Sequence, residues 1–456
     1  VSSAFHSNIK KSQIAQALLS LAVIGTASKA FPGLESLFMI TPLSLGIVFI
    51  LFLIYEAKSF IKNIFHYERP NQRKKEDKGH FSISFLLLTP YSLLLLFALW
   101  AIITSTWSIH PKVTLMRSGY LLFLIISIFT AVYMIDWKQT KYKFGFLLPL
   151  NIIVVITSLI SLILNIPEAA WTGGNAMGFT GFTSHQNTLA ALILFTSPSV
   201  IELFWMALRS KGNSQFSLAR RGGILNSEFL VLSSAFFLLS FSFYLLVLTY
   251  SRASIASFLI LIIILLLLQG SKLVLLFSTI SITALILSFV LIPSLRNSIK
   301  NLLLKDTKSI TETRLPLWNA SYKAALNGGL FGLGYGISHL EIKSGGAGDH
   351  YENGRFVREK GNSILAMIEE VGIIGLTLFI APIVIIFRNL FMFFNSQIRK
   401  SANSRNYSSF YLLSFSFLLG ALFHAQFESW WVGVGSFQLL IFLLILFQSE
   451  VKYLSK

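Results

Sequence analysis

The chain has 456 residues, of which 54% are hydrophobic and only 12% charged. Soluble domains carry about 25% charged residues, so this composition excludes a string of soluble domains and specifies an integral membrane protein. Lys and Arg exceed Asp and Glu by 37 to 19, a net charge of +18, and the absence of Cys excludes disulfides and thiolate-based metal or nucleophilic sites.

Apolar runs near twenty residues, separated by charged or Pro/Gly-containing segments, mark membrane spans. They fall at about 13–29, 36–55, 81–104, 116–135, 145–166, 187–207, 229–248, 253–268, 273–293, 363–387, 409–427 and 433–449. The first follows Lys10-Lys11 without a small-residue cleavage pattern and is read as a span, not a leader. The predicted fold is all-α, with about 12 transmembrane helices and a large outer loop containing short amphipathic helices. It divides into spans 1–9 with basic cytoplasmic loops (1–293), the large periplasmic loop (294–362) and spans 10–12 (363–456).

Basic residues set the orientation. With both termini inside, the inner segments hold 23 Lys and Arg, and the short outer ones only 4. Runs such as Arg69 to Lys78 and Arg220-Arg221 then read as topology signals and contacts to anionic lipid, not as nucleic-acid binding. The polar clusters all fall outside: Trp107-Ser108-Ile109-His110-Pro111, Gly173 to Asn187, Thr249 to Ser254, the insert 294–362, and Glu428 to Ser436. Five clusters on one side predict a single site assembled from loops. No internal repeat is visible, which disfavours a transporter built from duplicated halves.

Several residues in these clusters can carry chemistry. His185 and Asn187 stand at the mouth of a span after a Gly-rich loop; they can meet a sugar hydroxyl, or the segment simply caps a helix through Thr183 or Ser184. Arg252 lies in a very short link between two apolar spans, where a cation needs a partner or water. Arg314 precedes a helix that Pro316 can open, and Arg314, Trp318 and Tyr322 share one face at i, i+4 and i+8. Arginine suits bidentate contact with phosphate; plain interfacial anchoring is the alternative. The Gly-rich run 328–336 lacks the context of a nucleotide-binding loop and reads as a tight turn. Glu369 and Glu370 interrupt a span, so Glu370 is expected to face inward as an acceptor for a buried donor. No pairing of His or carboxylates has metal-ligand spacing, and no cofactor is expected.

Taken in order, these motifs resemble the O-antigen ligase and polymerase superfamily of bacterial envelope glycosyltransferases. The resemblance rests on Trp107-Ser108-x-x-Pro111, Gly181-x-x-x-His185-x-Asn187-x-x-Ala190, Ser251-Arg252-Ala253, Arg314-x-x-x-Trp318, Phe331-Gly332-x-Gly334, and Asn362-x-x-Leu365-x-x-x-x-Glu370-x-Gly372-x-x-Gly375. It implies glycosyl transfer at the outer face of the bacterial inner membrane, without a metal, from an undecaprenyl-pyrophosphate-linked oligosaccharide to a hydroxyl of a glycan or lipid-linked glycan.

By that resemblance Arg252 and Arg314 hold the pyrophosphate, while His185, Asn187, Trp318, Arg355, Arg358, Asn362 and Glu370 bind the glycan or support the site. The family's usual His before the Asn is replaced by Gly361. Glu359, His350, Glu352 or His339 can stand in as base, with Glu359 and His350 assigned as catalytic; solvated pairing of Glu359 with Arg355, Arg358 or Lys360 is the alternative. The altered loop tilts the reading towards a polymerase over a ligase. A transporter or flippase of lipid-linked glycans is the competing class, but it predicts ionisable residues through the membrane, and this chain has few. A purely structural scaffold would need neither arginine.

Overall fold

The computed structural model of the chain describes residues 2–56, 89–135, 137, 140–164, 178–213, 227–269, 314–344, 349–352, 355–398 and 405–454. Its helices are α1 (Ser2–Ala27), α2 (Ile40–Tyr55), α3 (Pro90–Ile103), α4 (Pro111–Met134), α5 (Leu148–Ile163), α6 (Gln186–Asn213), α7 (Ser227–Leu248), α8 (Arg252–Gln269), α9 (Leu315–Gly328), α10 (Ser363–Ile398), α11 (Arg405–His424) and α12 (Phe437–Leu454). The expected spans coincide with helices wherever their residues are described. The ninth, 273–293, lies outside the described residues, as do 81–88 of the third and the basic runs Arg69 to Lys78 and Arg220-Arg221. Helix α9 belongs to the polar insert and is not one of the expected spans.

Among the described residues six segments are long and apolar enough to cross a membrane: Glu35–Tyr55, Pro111–Met134, Gly145–Ile163, Gln186–Leu208, Leu230–Leu248 and Ser363–Phe394. Four shorter apolar helices accompany them, and the chain is a multi-pass membrane protein. Burial sorts the helices. In α12 every residue from Leu439 to Phe447 is buried, as an apolar helix surrounded by others must be. In α2, by contrast, Leu43, Ile50 and Ile54 are each more than half exposed, the signature of a surface solvated by lipid.

One departure from an all-α fold is a small antiparallel hairpin of β1 (His350–Glu352) and β2 (Arg355–Val357). The residues between the strands are Asn353-Gly354, the dipeptide that two-residue hairpins favour. This short signal is overlooked when a charged run is read only for its charges.

The polar loops meet at one end of the bundle. Ser184 N donates to Ala30 O and Phe179 N to Leu248 O. Trp107 Nε1 donates to Gly332 O, Tyr335 N to Thr104 Oγ1, and Arg314 Nη1 to Phe427 O. The connections after α1, α3, α7, α9 and α11 and the segment preceding α6 are thereby tied into one layer. At the other end Glu202 receives the backbone N–H of Lys143 and Phe144, and Gln448 donates to Lys143 O.

Candidate functional site

The layer is organised by a broken helix. Gly372 interrupts α10 at φ 72°, ψ −177°, a conformation open only to Gly. A break at this depth frees backbone groups that lipid cannot satisfy, and the Gly-rich run after α9 satisfies them. Leu333 N and Gly334 N donate to Glu369 O and Glu370 O at 2.8 and 2.9 Å, and Ile373 N and Ile374 N donate to Gly329 O and Leu330 O. Trp100 Nε1 closes the set on Val371 O at 2.8 Å. The close approach is why Gly332 has no side chain: a Cβ there would overlap the Glu370 carbonyl. The run is a tight turn with a partner.

The break places Glu369 and Glu370 inside the protein. Glu370 accepts from Lys360 Nζ at 2.6 Å and from Gly336 N at 2.5 Å; Glu369 accepts from Arg358 Nη2 at 2.5 Å, Lys360 Nζ at 3.2 Å and His339 N at 2.9 Å. These side chains are at most 6% exposed. Arg358 and Glu370 therefore fix the insert on α10. Lys360, not singled out from the sequence, is the cation that joins both carboxylates.

Above this knot lies the arginine pair. Arg314 sits at the N-terminus of α9, where Pro316 occupies the first turn; its Nη1 donates to Phe427 O at 2.9 Å and its Nη2 pairs with Glu428 Oε1 at 3.2 Å. Arg252, at the start of α8, lies near enough for the two guanidinium charges to interact. It follows Tyr250, a left-handed residue at φ 53°, the kind of local strain that a surrounding structure must hold in place. The buried His424 is within reach of the Arg314 charge, and its Nε2 shares a hydrogen bond with Ser254 Oγ at 3.2 Å.

Glu428 is the centre of this group. Its carboxyl is held above the ordinary carboxylate range by burial, against the opposing pull of Arg314, with the neighbouring Glu359 charge adding to the upward shift. About a third of its side-chain surface stays open. Ser363 Oγ donates to Glu428 O at 2.6 Å, and Asn362 Nδ2 to Gln426 O at 3.1 Å, while Asn362 Oδ1 caps α10 through Leu365 N. Trp318 Nε1 donates to Gly361 O at 3.0 Å, and its ring lies 5.8 Å from Phe427. The start of α10 is thus bound to the loop that carries Glu428.

The structure brings Arg252, Arg314, Trp318, Glu359 and Asn362 to one region. Glu359 is half-buried; its N–H donates to Asp349 Oδ1 at 2.9 Å, while Arg358 and Lys360 are committed to Glu369 and Glu370. His350 is exposed on β1, opposite Val357, and Arg355 stands across from Glu352 in the backbone register of the hairpin. His185 Nδ1 accepts from Asn187 N at 3.1 Å. The helix cap foreseen for Thr183 or Ser184 is thus made by His185 itself. Tyr322, expected on one face with Arg314 and Trp318, is more than half exposed; α9 buries Leu317, Ala320, Ser321, Ala324, Ala325 and Gly328 instead.

Sequence reading placed Glu428 in a polar cluster without singling it out. Its signal was available: it is the one carboxylate of that cluster, directly after an apolar span. Among the described residues no three His, Cys, Asp or Glu side chains come together as a metal site.

Residues 235–380 match the family model described as O-antigen ligase. No curated protein matches the chain. The matched third of the sequence covers the latter part of α7, all of α8 and α9, the hairpin and the broken part of α10, including Arg252, Arg314, Glu359 and Glu370. Over this segment the chain is similar to the O-antigen ligase and polymerase superfamily of membrane glycosyltransferase-like enzymes.

Proposed function

We propose that the protein transfers an undecaprenyl-pyrophosphate-linked oligosaccharide onto a hydroxyl of another glycan, at the outer face of the bacterial inner membrane, with both termini cytoplasmic. The carrying observation is the meeting of Arg252 and Arg314, from separate segments, beside Glu428 and Glu359 in the polar layer. In the reaction the acceptor oxygen attacks the anomeric carbon. The bond to the pyrophosphate oxygen breaks, and its electron pair leaves with the diphosphate. Two fixed guanidiniums stabilise the charge that develops there, and holding both substrates in one layer supplies proximity. The acceptor proton passes to a carboxylate, for which Glu359 is the assigned base.

Polymerisation is favoured over ligation by the altered position 361. A Cβ on Gly361 would lie 3.0 Å from Leu317 Cβ and 3.4 Å from Trp318 Cδ1. Packing occupies the place where relatives carry His, which supports a base drawn from elsewhere in the loop.

The test is transfer in proteoliposomes from an undecaprenyl-pyrophosphate oligosaccharide, comparing wild type with Arg252→Ala, Arg314→Ala and Glu359→Gln. Loss of a transition-state charge contact costs about 10²–10³ in rate, so each arginine variant is expected to fall by that much while remaining folded. Transfer unaffected by both arginine changes would overturn the assignment. Movement of the donor between leaflets without any transfer would replace it with a flippase.

A further inference from the structure

Apart from the inner segments and the long insert, the chain carries four basic residues: Lys29, Lys112, Arg117 and Arg252. Arg252 belongs to the site above. Lys29 and Arg117 form a second pair in the same layer, close enough for their charges to interact. Neither takes part in an ion pair among the described residues.

The pair is built into the fold. Lys29 Nζ stands 3.4 Å from the centroid of the Phe38 ring, and Arg117 Nη2 donates to Val432 O at 3.3 Å. Two left-handed glycines make the room. At Gly336 (φ +82°) a Cβ would overlap the Arg117 side chain; at Gly435 (φ +85°) it would lie 3.2 Å from Phe38 and 3.3 Å from Lys29 Nζ. Snorkelling cations extend separately into the headgroups, whereas here Arg117 turns back onto the loop after α11. Its Nε is buried without a hydrogen-bond partner, and so is the hydroxyl of Tyr120, whose ring is 6.1 Å from Phe38. Two adjacent cations, one with an idle buried Nε, and the idle Tyr120 hydroxyl make a set of donors for which the Val432 carbonyl is the one acceptor noted among the described residues.

The loop that holds Arg117 through Val432 also holds Arg314 through Glu428. These contacts are four positions apart, a backbone span of at most about 14 Å. The two cation pairs therefore stand within reach of one short oligosaccharide.

We propose that Lys29, Arg117 and Tyr120 form a second anion subsite, which takes the phosphate or pyrophosphate headgroup of a lipid-anchored acceptor while Arg252 and Arg314 hold the donor. The inference rests on the transferase reading of the Arg252–Arg314 site. A polymerase that joined two lipid-linked glycans would need such a second headgroup site.

The test counts undecaprenyl pyrophosphate bound to the purified full chain in zwitterionic nanodiscs by native mass spectrometry. Wild type is expected to bind two molecules. The exposed Lys29→Gln change combined with Arg117→Gln should leave one, and Arg252→Ala with Arg314→Ala should leave the other, each variant thereby reporting that its fold is intact. In the transfer assay, Lys29→Gln alone should raise the acceptor KM about tenfold, the size of one lost charged hydrogen bond, with the donor KM unchanged. A single bound molecule, lost with the arginine pair and indifferent to Lys29 and Arg117, would overturn the second subsite. So would displacement of the second molecule by an equal concentration of phosphatidylglycerol, which marks an ordinary interfacial anchor, or by inorganic pyrophosphate, which marks a site for the free anion. A second molecule retained by Lys29 and Arg117 when none depends on Arg252 and Arg314 would sink the donor assignment and spare the subsite.

Discussion

Lys360 donates to Glu370 at 2.6 Å across ten positions of sequence, with the two side chains only 6% and 3% exposed. The same ammonium lies 3.2 Å from Glu369, which Arg358 also holds. Two cations from the insert and two anions from α10 form a closed knot. Removing one partner of a buried pair leaves an uncompensated charge and costs about 3–5 kcal/mol. Lys360→Ala is therefore expected to lower the unfolding midpoint in detergent sharply. Pairing Lys360→Met with Glu370→Leu should recover part of the loss, because neither charge remains stranded. A single variant as stable as wild type would show that the knot does not hold the insert in place.

Gly372 should be the least replaceable glycine of α10. Its φ of 72° is strained for any L residue, and a Cβ would strike Leu330 O. Gly46, inside α2, has nothing within 4 Å of the same atom. Gly46→Ala is expected to be neutral or to stabilise by about 0.5–1 kcal/mol. Gly372→Ala is expected to lose the folded monodisperse species on size-exclusion fluorescence. Equal behaviour of the two would mean that the break in α10 is dispensable.

These two cases also mark how much could be read in advance. The helices were legible because an apolar run and its length are local properties, and a span such as 187–207 needs nothing from elsewhere in the chain. Arg252 and Arg314 stood out because a cation beside an apolar run is conspicuous by itself. Gly372 is only one glycine of a motif in the sequence, since a break and a smooth close contact look alike until the segment 329–334 is laid beside it. Arg358 and Lys360 were alternatives for pairing with Glu359 because they adjoin it; their true partners are Glu369 and Glu370, reached only once the insert folds back. The same applies to Lys29 and Arg117, which are 88 positions apart by number and meet only once the turn after α1 packs beside α4.

The pH dependence should report on Glu428. Burial raises its pKa above the ordinary value, more than Arg314 lowers it, with Glu359 contributing upward. For a carboxyl raised in this way the fold favours the neutral form. Its stabilising contribution is present below the ordinary carboxylate range and is lost as pH rises through the raised value. Pairing with Arg314 needs the ionised form, so transfer is expected to fall as pH drops through that same raised value. Glu428→Gln should flatten this acid limb of kcat/KM and gain stability at neutral pH. An unchanged limb in Glu428→Gln would remove this carboxyl from the control of Arg314.

Position 361 offers the sharpest check on the loop. Gly361 is buried; its carbonyl receives Trp318 Nε1, and Leu317 Cβ stands 3.0 Å from where its own Cβ would be. Restoring the His that relatives carry should therefore not restore their arrangement. Gly361→His is expected to destabilise, because overpacking a closed site costs about 1–3 kcal/mol. Leu317→Ala destabilises by itself through the cavity it leaves, about 2–5 kcal/mol for a buried Leu. The double variant should lose less than the two together, since the imidazole can use the space that the leucine vacates. A double-mutant cycle on unfolding midpoints measures this coupling, expected at about 0.5–3 kcal/mol for residues in contact. Strict additivity would mean that Leu317 does not fill the place of the missing side chain. The absence of His would then need another cause than packing, and the preference for polymerisation would lose the support it draws from this position.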